Sequence, residues 1–342
     1  MSTIKNVIYI VSDSYLRLDG ENLIIEIDKI KKPPIPLVNI ESIVLFGYHG
    51  VSPLLFGYCS EHNIPITFLT GSGRFLTRVN RDFHGGIFLR KKQYLLSENE
   101  DESILIARNM IYGKVANQKY VLKKFCREYE KRIDISQIEN VVKQLNQYLE
   151  KIAKCSEKDI LRGYEGNCAS LYFGVLDNLI LQNKEDFYIH DRNKRPPLDN
   201  VNAMLSFLYA LLENDCSCAL ESVGLDPYCG FMHADRPGRR SLACDLMEEM
   251  RAVMVDRLVI RIINKKIIKS IHFEEKENGS IYLNNEGKQI LINEWQKRKK
   301  EEITHPYLQE KIIYCLIPHK QAMLLSRTLR EDIEEYPPFL WR

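Results

Sequence analysis

The spacing of apolar positions changes once along the chain. Over roughly the first ninety residues, apolar side chains come in short runs rich in β-branched and aromatic types, at 7–11, 15–18, 23–27, 42–46, 65–69 and 75–79. Runs of this kind fit strands on a partly buried sheet. Asp19-Gly20, between the second and third runs, predicts a tight hairpin turn. Pro33, Pro34 and Pro36 interrupt the pattern before 42–46. Residues 52–62 read as one short helix that opens at Ser52 or Pro53. From Lys91 onward the period lengthens to that of helices, at 104–118, 120–129, 141–151, 159–181, 200–212, 241–263 and 288–299. Residues 269–273 and 281–283 flank a polar turn at Asn278-Gly279 and read as a hairpin set between helices.

The expected fold class is therefore α+β multidomain. A β-rich, sandwich-like unit covers 1–90, a linker 91–101, and a mainly α-helical unit 102–330. The acidic, proline-bearing tail at 331–342 is expected to be loose.

Composition narrows the function classes. The chain has 342 residues, room for two domains, and 45% apolar residues are enough for a sizeable core. Its net charge is only +2, so any affinity for nucleic acid has to come from local clusters of basic residues. Nine cysteines, an odd number with no CxxC pair, read as thiols in a reducing compartment, not as a disulfide framework or zinc finger. No apolar run approaches membrane-spanning length and no signal-peptide stretch opens the sequence, so a cytoplasmic protein with no membrane association is expected.

The chemistry concentrates around Cys229-Gly-Phe-Met-His233-Ala-Asp-Arg-Pro-Gly238 and the helix expected after it, for which Ser241 is the natural N-cap. Asp245 and Glu248 lie one turn apart on that helix and are expected to project from one side. Glu165 stands between Gly163 and Gly166 near the start of another helix, where small neighbours would let a ligand or a second backbone come close. Each feature has an ordinary explanation. Acids favour helix N-termini, a lone histidine is usually a satisfied one, and Asp245, Glu248 and Arg251 would serve equally as a solvated face with an ion pair. Taken together, Glu165, His233 and Glu248 make a ligand set for Mg²⁺ or Mn²⁺, because carboxylates suit hard divalent ions and one imidazole favours Mn²⁺. Such an ion would leave open positions for a phosphate oxygen and a nucleophile.

Basic residues cluster in several places. Arg74, Arg78 and Arg81 surround a predicted hairpin, and Lys297 to Lys300 ends a helix. Arg192, Lys194 and Arg195 share one loop, while Arg236, Arg239 and Arg240 crowd the proposed site; these six are the candidates for DNA phosphates. Asn202, Ser206 and Tyr209 fall on neighbouring helical positions and read as a hydrogen-bonding row.

An ordered set of blocks carries a family resemblance. It runs from Glu165-Gly with Ala169 and Tyr172-Phe173, through Arg195-Pro-Pro, Asn202-Ala and Ser206-Phe-Leu-Tyr209, to Gly224-Leu-Asp-Pro227, Gly230-Phe-Met-His233 and Arg236-Pro-Gly-Arg-Arg-Ser-Leu-Ala-Cys-Asp-Leu-Met-Glu248-Glu. In this order and spacing they resemble the CRISPR adaptation integrases of the Cas-one family, across essentially the whole chain. Phe83-His-Gly-Gly86 and Arg90-Lys-Lys-Gln-Tyr94 look like the type I branch, subtype I-C.

The resemblance implies an N-terminal β-domain used for homodimerisation and a helical catalytic domain. It implies a heterohexamer in which two such dimers flank a dimer of the small Cas-two subunit. It also implies insertion of captured DNA (the protospacer) into the CRISPR repeat by attack of DNA 3′-hydroxyls. The family's Glu–His–acid metal site falls on Glu165, His233 and Glu248, with Asp245 an accessory acid. Two other readings use the same residues: a metal-dependent nuclease for branched or repair-intermediate DNA, with water as nucleophile, and a non-catalytic DNA scaffold.

Overall fold

A computed structural model describes residues 6–71, 75–79, 86–131, 133–193 and 196–341. The chain forms two compact units, Met1–His84 with Tyr282–Ile292, and Gly85–Ile281 with Asn293–Arg342. The return of Tyr282–Ile292 to the first unit leaves no trace in the hydrophobic pattern.

The first unit is strand-rich. Its strands are β1 (Asn6–Ile10), β2 (Ser14–Asp19), β3 (Asn22–Ile27), β4 (Ile30–Lys31), β5 (Ile35–Pro36), β6 (Ile40–Phe46) and β7 (His49–Val51), followed by helix α1 (Pro53–Glu61), β8 (Ile66–Leu69) and β9 (Phe75–Val79). β2 and β3 form the hairpin that Asp19-Gly20 predicts, closing on the pair Asp19 and Asn22 with Gly20 at φ +58°. They belong to a five-stranded sheet, β4-β3-β2-β7 with β5 on β3. The second sheet runs β1-β6-β8-β9, with β6 parallel to both β1 and β8. Ile43, Val44, Leu45 and Phe46 are all buried, as expected of a central parallel strand covered on both faces. Both sheets and α1 share one core, which includes Leu16, Leu23, Ile43, Leu55 and Ile66. Ser52 caps α1, its side chain accepting from the Leu55 N–H.

The second unit is helical. Its helices are α2 (Ile87–Glu98), α3 (Glu100–Tyr129), α4 (Ser136–Ala153), α5 (Lys158–Gly174), α6 (Asn200–Ser222), α7 (Ser241–Glu248), α8 (Arg257–Asn264), α9 (Asn285–Lys299, which runs across the unit boundary) and α10 (Ile317–Leu329). The stretch 91–101, expected as a linker, is helical except around Asn99. Asn99 ends α2 and caps α3, accepting from the Asp101 and Glu102 N–H groups, and three acids in the first turn of α3 complement the helix dipole. The two helices expected over 104–129 are one, because the polar residues Lys114, Asn117 and Gln118, which interrupt the apolar pattern, are buried in it. The helix expected over 159–181 ends at Gly174 and continues as a 3₁₀ turn at Leu176–Leu179. Between α7 and α8, residues Arg251–Asp256 form a π-helical segment, a feature often found at functional sites. At Asn278-Gly279 the predicted turn is present, with the Lys276 N–H donating to Ser280 O.

The tail expected to be loose is tucked in: Tyr336, Phe339 and Trp341 are buried. Its acids, Glu331 to Glu335, are the exposed part, whereas the aromatic residues after them bury too much apolar surface to stay in water. Among the described residues no helix is long and apolar enough to cross a membrane.

Candidate functional site

Three helices of the second unit bring charged side chains to one point. Lys114 comes from α3, Glu165 from α5 and Glu248 from the end of α7. The Lys114 ammonium donates to Glu165 Oε1 and stands 2.8 Å from Glu248 Oε2. Arg251 Nη1 lies 2.9 Å from the other Glu248 oxygen, Oε1. Lys114 and Glu248 are buried, while the Glu165 side chain keeps 29% of its surface exposed, so the cluster meets solvent on the Glu165 side. Burial alone would raise the Glu248 carboxyl, but Arg251 and Lys114 outweigh it and hold the group at about 2. Burial likewise opposes the Lys114 charge, and Glu248 and Glu165 overcome it, leaving Lys114 above its ordinary value.

The loop before α7 places His233. Asp245 organises that loop: Oδ2 accepts the Phe231 and Met232 N–H groups at 2.7 and 3.0 Å, and Oδ1 accepts the His233 N–H at 3.1 Å. The same Oδ1 lies 2.5 Å from His233 Nδ1. A carboxylate on Nδ1 fixes the ring so that Nε2 is the atom left to take a ligand. A Cβ at position 230 would come within 2.9 Å of Asp245 Oδ2 and 2.8 Å of Ser241 Cβ, so this turn requires Gly230.

Behind the cluster lies a buried polar layer. Arg251 stacks on the Tyr209 ring at 4.9 Å, and the Tyr209 hydroxyl donates to Asp256 in the π-helical segment. The expected row on α6 is present, and its partner is Arg192, which donates to Asn202 Oδ1 at 2.7 Å and Ser206 Oγ at 3.1 Å.

Several expectations need correction here. Ser241 does not cap α7; Arg240 occupies the cap position, and Ser241 Oγ donates to Ala234 O. Asp245 and Glu248 do not share a partner: Asp245 serves the His233 loop, and Glu248 serves Lys114 and Arg251. In the Glu248–Arg251 pair Glu248 is buried and Arg251 only partly exposed, so the pair is not a solvated face. A Cβ at Gly163 or Gly166 would meet open space, so among the described residues no second backbone packs on these glycines. Among the DNA-binding candidates, Arg192 spends its guanidinium on α6, and Arg240 is buried with Nε 3.0 Å from Glu213 Oε1. Lys194 and Arg195 lie outside the described residues, as do Arg74, Arg81 and residues 83–85 of the type I junction. Arg78 donates to Thr67, and in the 297–300 run Arg298 and Lys299 are buried against Glu301 and Asp215. Arg236 remains exposed and Arg239 partly so, on the same loop as His233.

Sequence reasoning misses Lys114 and Arg162. Arg162 is exposed one turn before Glu165, and its Nη2 donates to Met232 O in the His233 loop at 3.3 Å. A signal for Lys114 exists: it occupies the α3 stripe that Ala107, Met110, Ile111, Val121 and Leu122 fill with buried apolar side chains. A lysine at such a position needs a charged partner.

Among the described residues, no three His, Cys, Asp or Glu side chains are drawn together into a finished metal cage. The donors nevertheless suit a hard divalent ion. Two carboxylates from different helices already converge on one cation, the Lys114 ammonium. Glu248 Oε2 is buried and faces the Lys114 ammonium at 2.8 Å, so a divalent ion would compete with that lysine for it.

The family model described as "CRISPR associated protein Cas1" matches residues 8–297. The chain is 42% identical over 347 residues to a Rhodospirillum rubrum protein named CRISPR-associated endonuclease Cas1 2, covering 100% of both chains. Its fold is similar to that of a Cas1 protein from Thermotoga maritima, at a TM-score of 0.81 and 25% identity over 95% of this chain and 97% of that one. A solved structure described as "Casposase bound to integration product" has a similar fold at a TM-score of 0.83, with 24% identity over 99% of this chain and 94% of that one.

Proposed function

The chain belongs to the CRISPR-associated Cas1 family, and from that premise we propose that it is a divalent-metal-dependent DNA integrase and endonuclease of CRISPR adaptation. In this reading it joins captured DNA fragments to the CRISPR repeat by transesterification. The observation that carries the reading is the convergence of Glu165 and Glu248, from separate helices, on a single buried cation, with Asp245 on the same helix as Glu248 holding the His233 loop.

Glu165, Glu248 and the Nε2 atom of His233 would hold Mg²⁺ or Mn²⁺. When bound, the ion would neutralise charge building on the target phosphate and lower the cost of presenting an oxygen nucleophile. The remaining work falls to the protein. Asp245 keeps His233 Nδ1 engaged, which orients the ring and preserves Nε2 as a donor atom. Arg251, 2.9 Å from Glu248 Oε1, favours the ionised carboxylate. Lys114 bridges the two carboxylates and supplies a positive charge near the partly exposed Glu165, where a phosphate oxygen would be held. Arg236 and Arg239 on the His233 loop, with Arg162 donating to that loop at Met232 O, would grip the DNA backbone without reading bases.

As partners we propose a second copy of the chain, the small Cas-two subunit in a heterohexamer, and DNA. Hydrolysis is the second reading, favoured by the name "endonuclease" carried by the Rhodospirillum rubrum relative. The same site would then use water in place of the DNA 3′-hydroxyl. One assay separates the two: the protein is given Mn²⁺, a labelled fragment ending in either a 3′-hydroxyl or a 3′-deoxy nucleotide, and a repeat-bearing duplex. Integration predicts branched, covalently joined products with the hydroxyl end alone. Cut target without joined product from both ends would leave only the nuclease.

A further inference from the structure

Residues 336–341 run as a strap over the helix that carries Lys114 and the helix end that carries Glu248. Glu249, the residue next to Glu248, is fully buried and faces this strap. Its Oε1 accepts the Tyr336 hydroxyl at 2.6 Å, and its Oε2 accepts the Phe339 N–H at 2.5 Å and Gln321 Nε2 at 3.0 Å. Asn117, one turn beyond Lys114 on α3, takes the other side. Its Nδ2 donates to Glu249 O at 2.6 Å and Phe339 O at 2.8 Å, and its Oδ1 accepts the Trp341 N–H at 2.8 Å. Asn109, further back on α3, donates to Tyr336 O at 2.9 Å.

Packing repeats the pattern. A Cβ at Gly113 would come within 3.0 Å of Pro338 Cβ and 3.1 Å of Glu249 Cγ, so α3, the strap and the α7 end meet where only glycine fits comfortably. The Trp341 ring lies under the charges of Lys124 and Arg257, at 5.0 and 4.7 Å, with the Tyr120 ring edge-on at 5.0 Å. Most of these contacts tie α3 or the α7–α8 region to the strap; Asn117 also donates directly to Glu249 O, and Gln321 of α10 holds the same carboxylate. Asn117 and Glu249 each sit within one turn of a member of the charged cluster.

We propose that the strap is a positioning element of the catalytic centre: through Asn117 and Glu249 it sets the spacing at which Lys114 of α3 and Glu248 of α7 meet. The proposal rests on the reading of Glu165, His233 and Glu248 as the active site. It differs from a general stabilising role in its prediction, because a carboxylate displaced by about an ångström costs on the order of 100-fold in rate while DNA grip is unaffected.

The test shortens the chain after Glu335 and compares it with the full chain. Its folding is followed by circular dichroism, its local order by amide hydrogen exchange, and its kinetics by strand joining with Mn²⁺. The expected result is a folded protein with faster exchange at 114–118 and 246–249. Its kcat is lower by on the order of 100-fold at unchanged KM for DNA, and a synthetic peptide of residues 336–342 added in trans restores the rate. A folded, shortened chain that joins at the native rate overturns the proposal. So does one whose KM for DNA rises at constant kcat, since the strap would then be a DNA contact.

If the shortened chain does not fold, Tyr336→Phe and Trp341→Ala decide instead. Folded variants with lowered kcat and unchanged KM support the proposal, and folded variants at native rate overturn it. If the full chain itself joins no DNA, the functional reading has failed, and the exchange difference at 114–118 and 246–249 still decides whether the strap orders this region.

Discussion

Asp245 Oδ1 lies 2.5 Å from His233 Nδ1 and at the same time accepts the His233 backbone N–H. One buried carboxylate thus sets both the path of the loop and the orientation of the ring. Replacing Asp245 with Asn keeps an acceptor for the backbone but loses the charge that favours the Nδ1–H tautomer. Asp245→Asn should weaken Mn²⁺ binding by roughly 10–100-fold with DNA affinity unchanged, as measured by calorimetry and by filter binding. Native metal affinity in this variant would show that Asp245 only shapes the loop.

Lys114 joins Glu165 to Glu248, and removing it leaves a buried carboxylate poorly compensated. Lys114→Met should lower the unfolding free energy in chelator by about 3–5 kcal/mol. Added Mn²⁺ should raise the melting temperature of the variant more than that of the native chain, because the ion replaces the missing charge. Equal melting of the two proteins in chelator would mean that Lys114 is not part of the charge balance.

The basic residues divide into two kinds. Arg236→Ala should weaken DNA binding across all sequences and reduce the salt slope by about 0.9, because one phosphate fewer is neutralised. Arg240 is buried against Glu213, so Arg240→Ala should lower the melting temperature and leave the salt slope alone. Salt titrations of the two variants check both statements.

Glu249 gives a pH signature. Burial pushes its carboxyl up to about 8, against an ordinary value of 4.5. The folded state therefore holds this proton more tightly than the unfolded chain. The resulting stability is fully present below about pH 4.5, the unfolded value, and is lost as pH rises through about 8. Between about pH 6.5 and 8 the melting temperature of the metal-free protein should fall, and Glu249→Gln should flatten that fall. Glu248, held at about 2, acts in the opposite sense: its stabilisation is present above its unfolded value and is lost only in acid, outside this window.

Much of this was legible in the sequence. The β2–β3 hairpin followed from Asp19-Gly20, the capped helix α1 from Ser52-Pro53, and the change from strands to helices from the apolar period. The acids and the histidine stood out by residue type. What the sequence hid was partner choice. Arg192 and Arg236 read alike in the chain, and only folding turns one onto Asn202 and Ser206 while leaving the other in solvent. Lys114 is separated from Glu248 by more than a hundred positions, and no local pattern ties them together. The aromatic residues after Glu335 looked like a loose end because prolines and acids surround them; their burial depends on Asn117 and Glu249, both distant in sequence.

The central claim, that Glu165, His233 and Glu248 share one divalent ion, is tested most directly by pulsed electron paramagnetic resonance of Mn²⁺ added to the protein. The native chain should show hyperfine coupling to one imidazole nitrogen. That coupling should vanish in His233→Ala, and Glu165→Gln and Glu248→Gln should each weaken Mn²⁺ binding by roughly 10-fold or more. A bound Mn²⁺ with no nitrogen coupling, or one held equally well by both glutamate variants, would contradict the assignment.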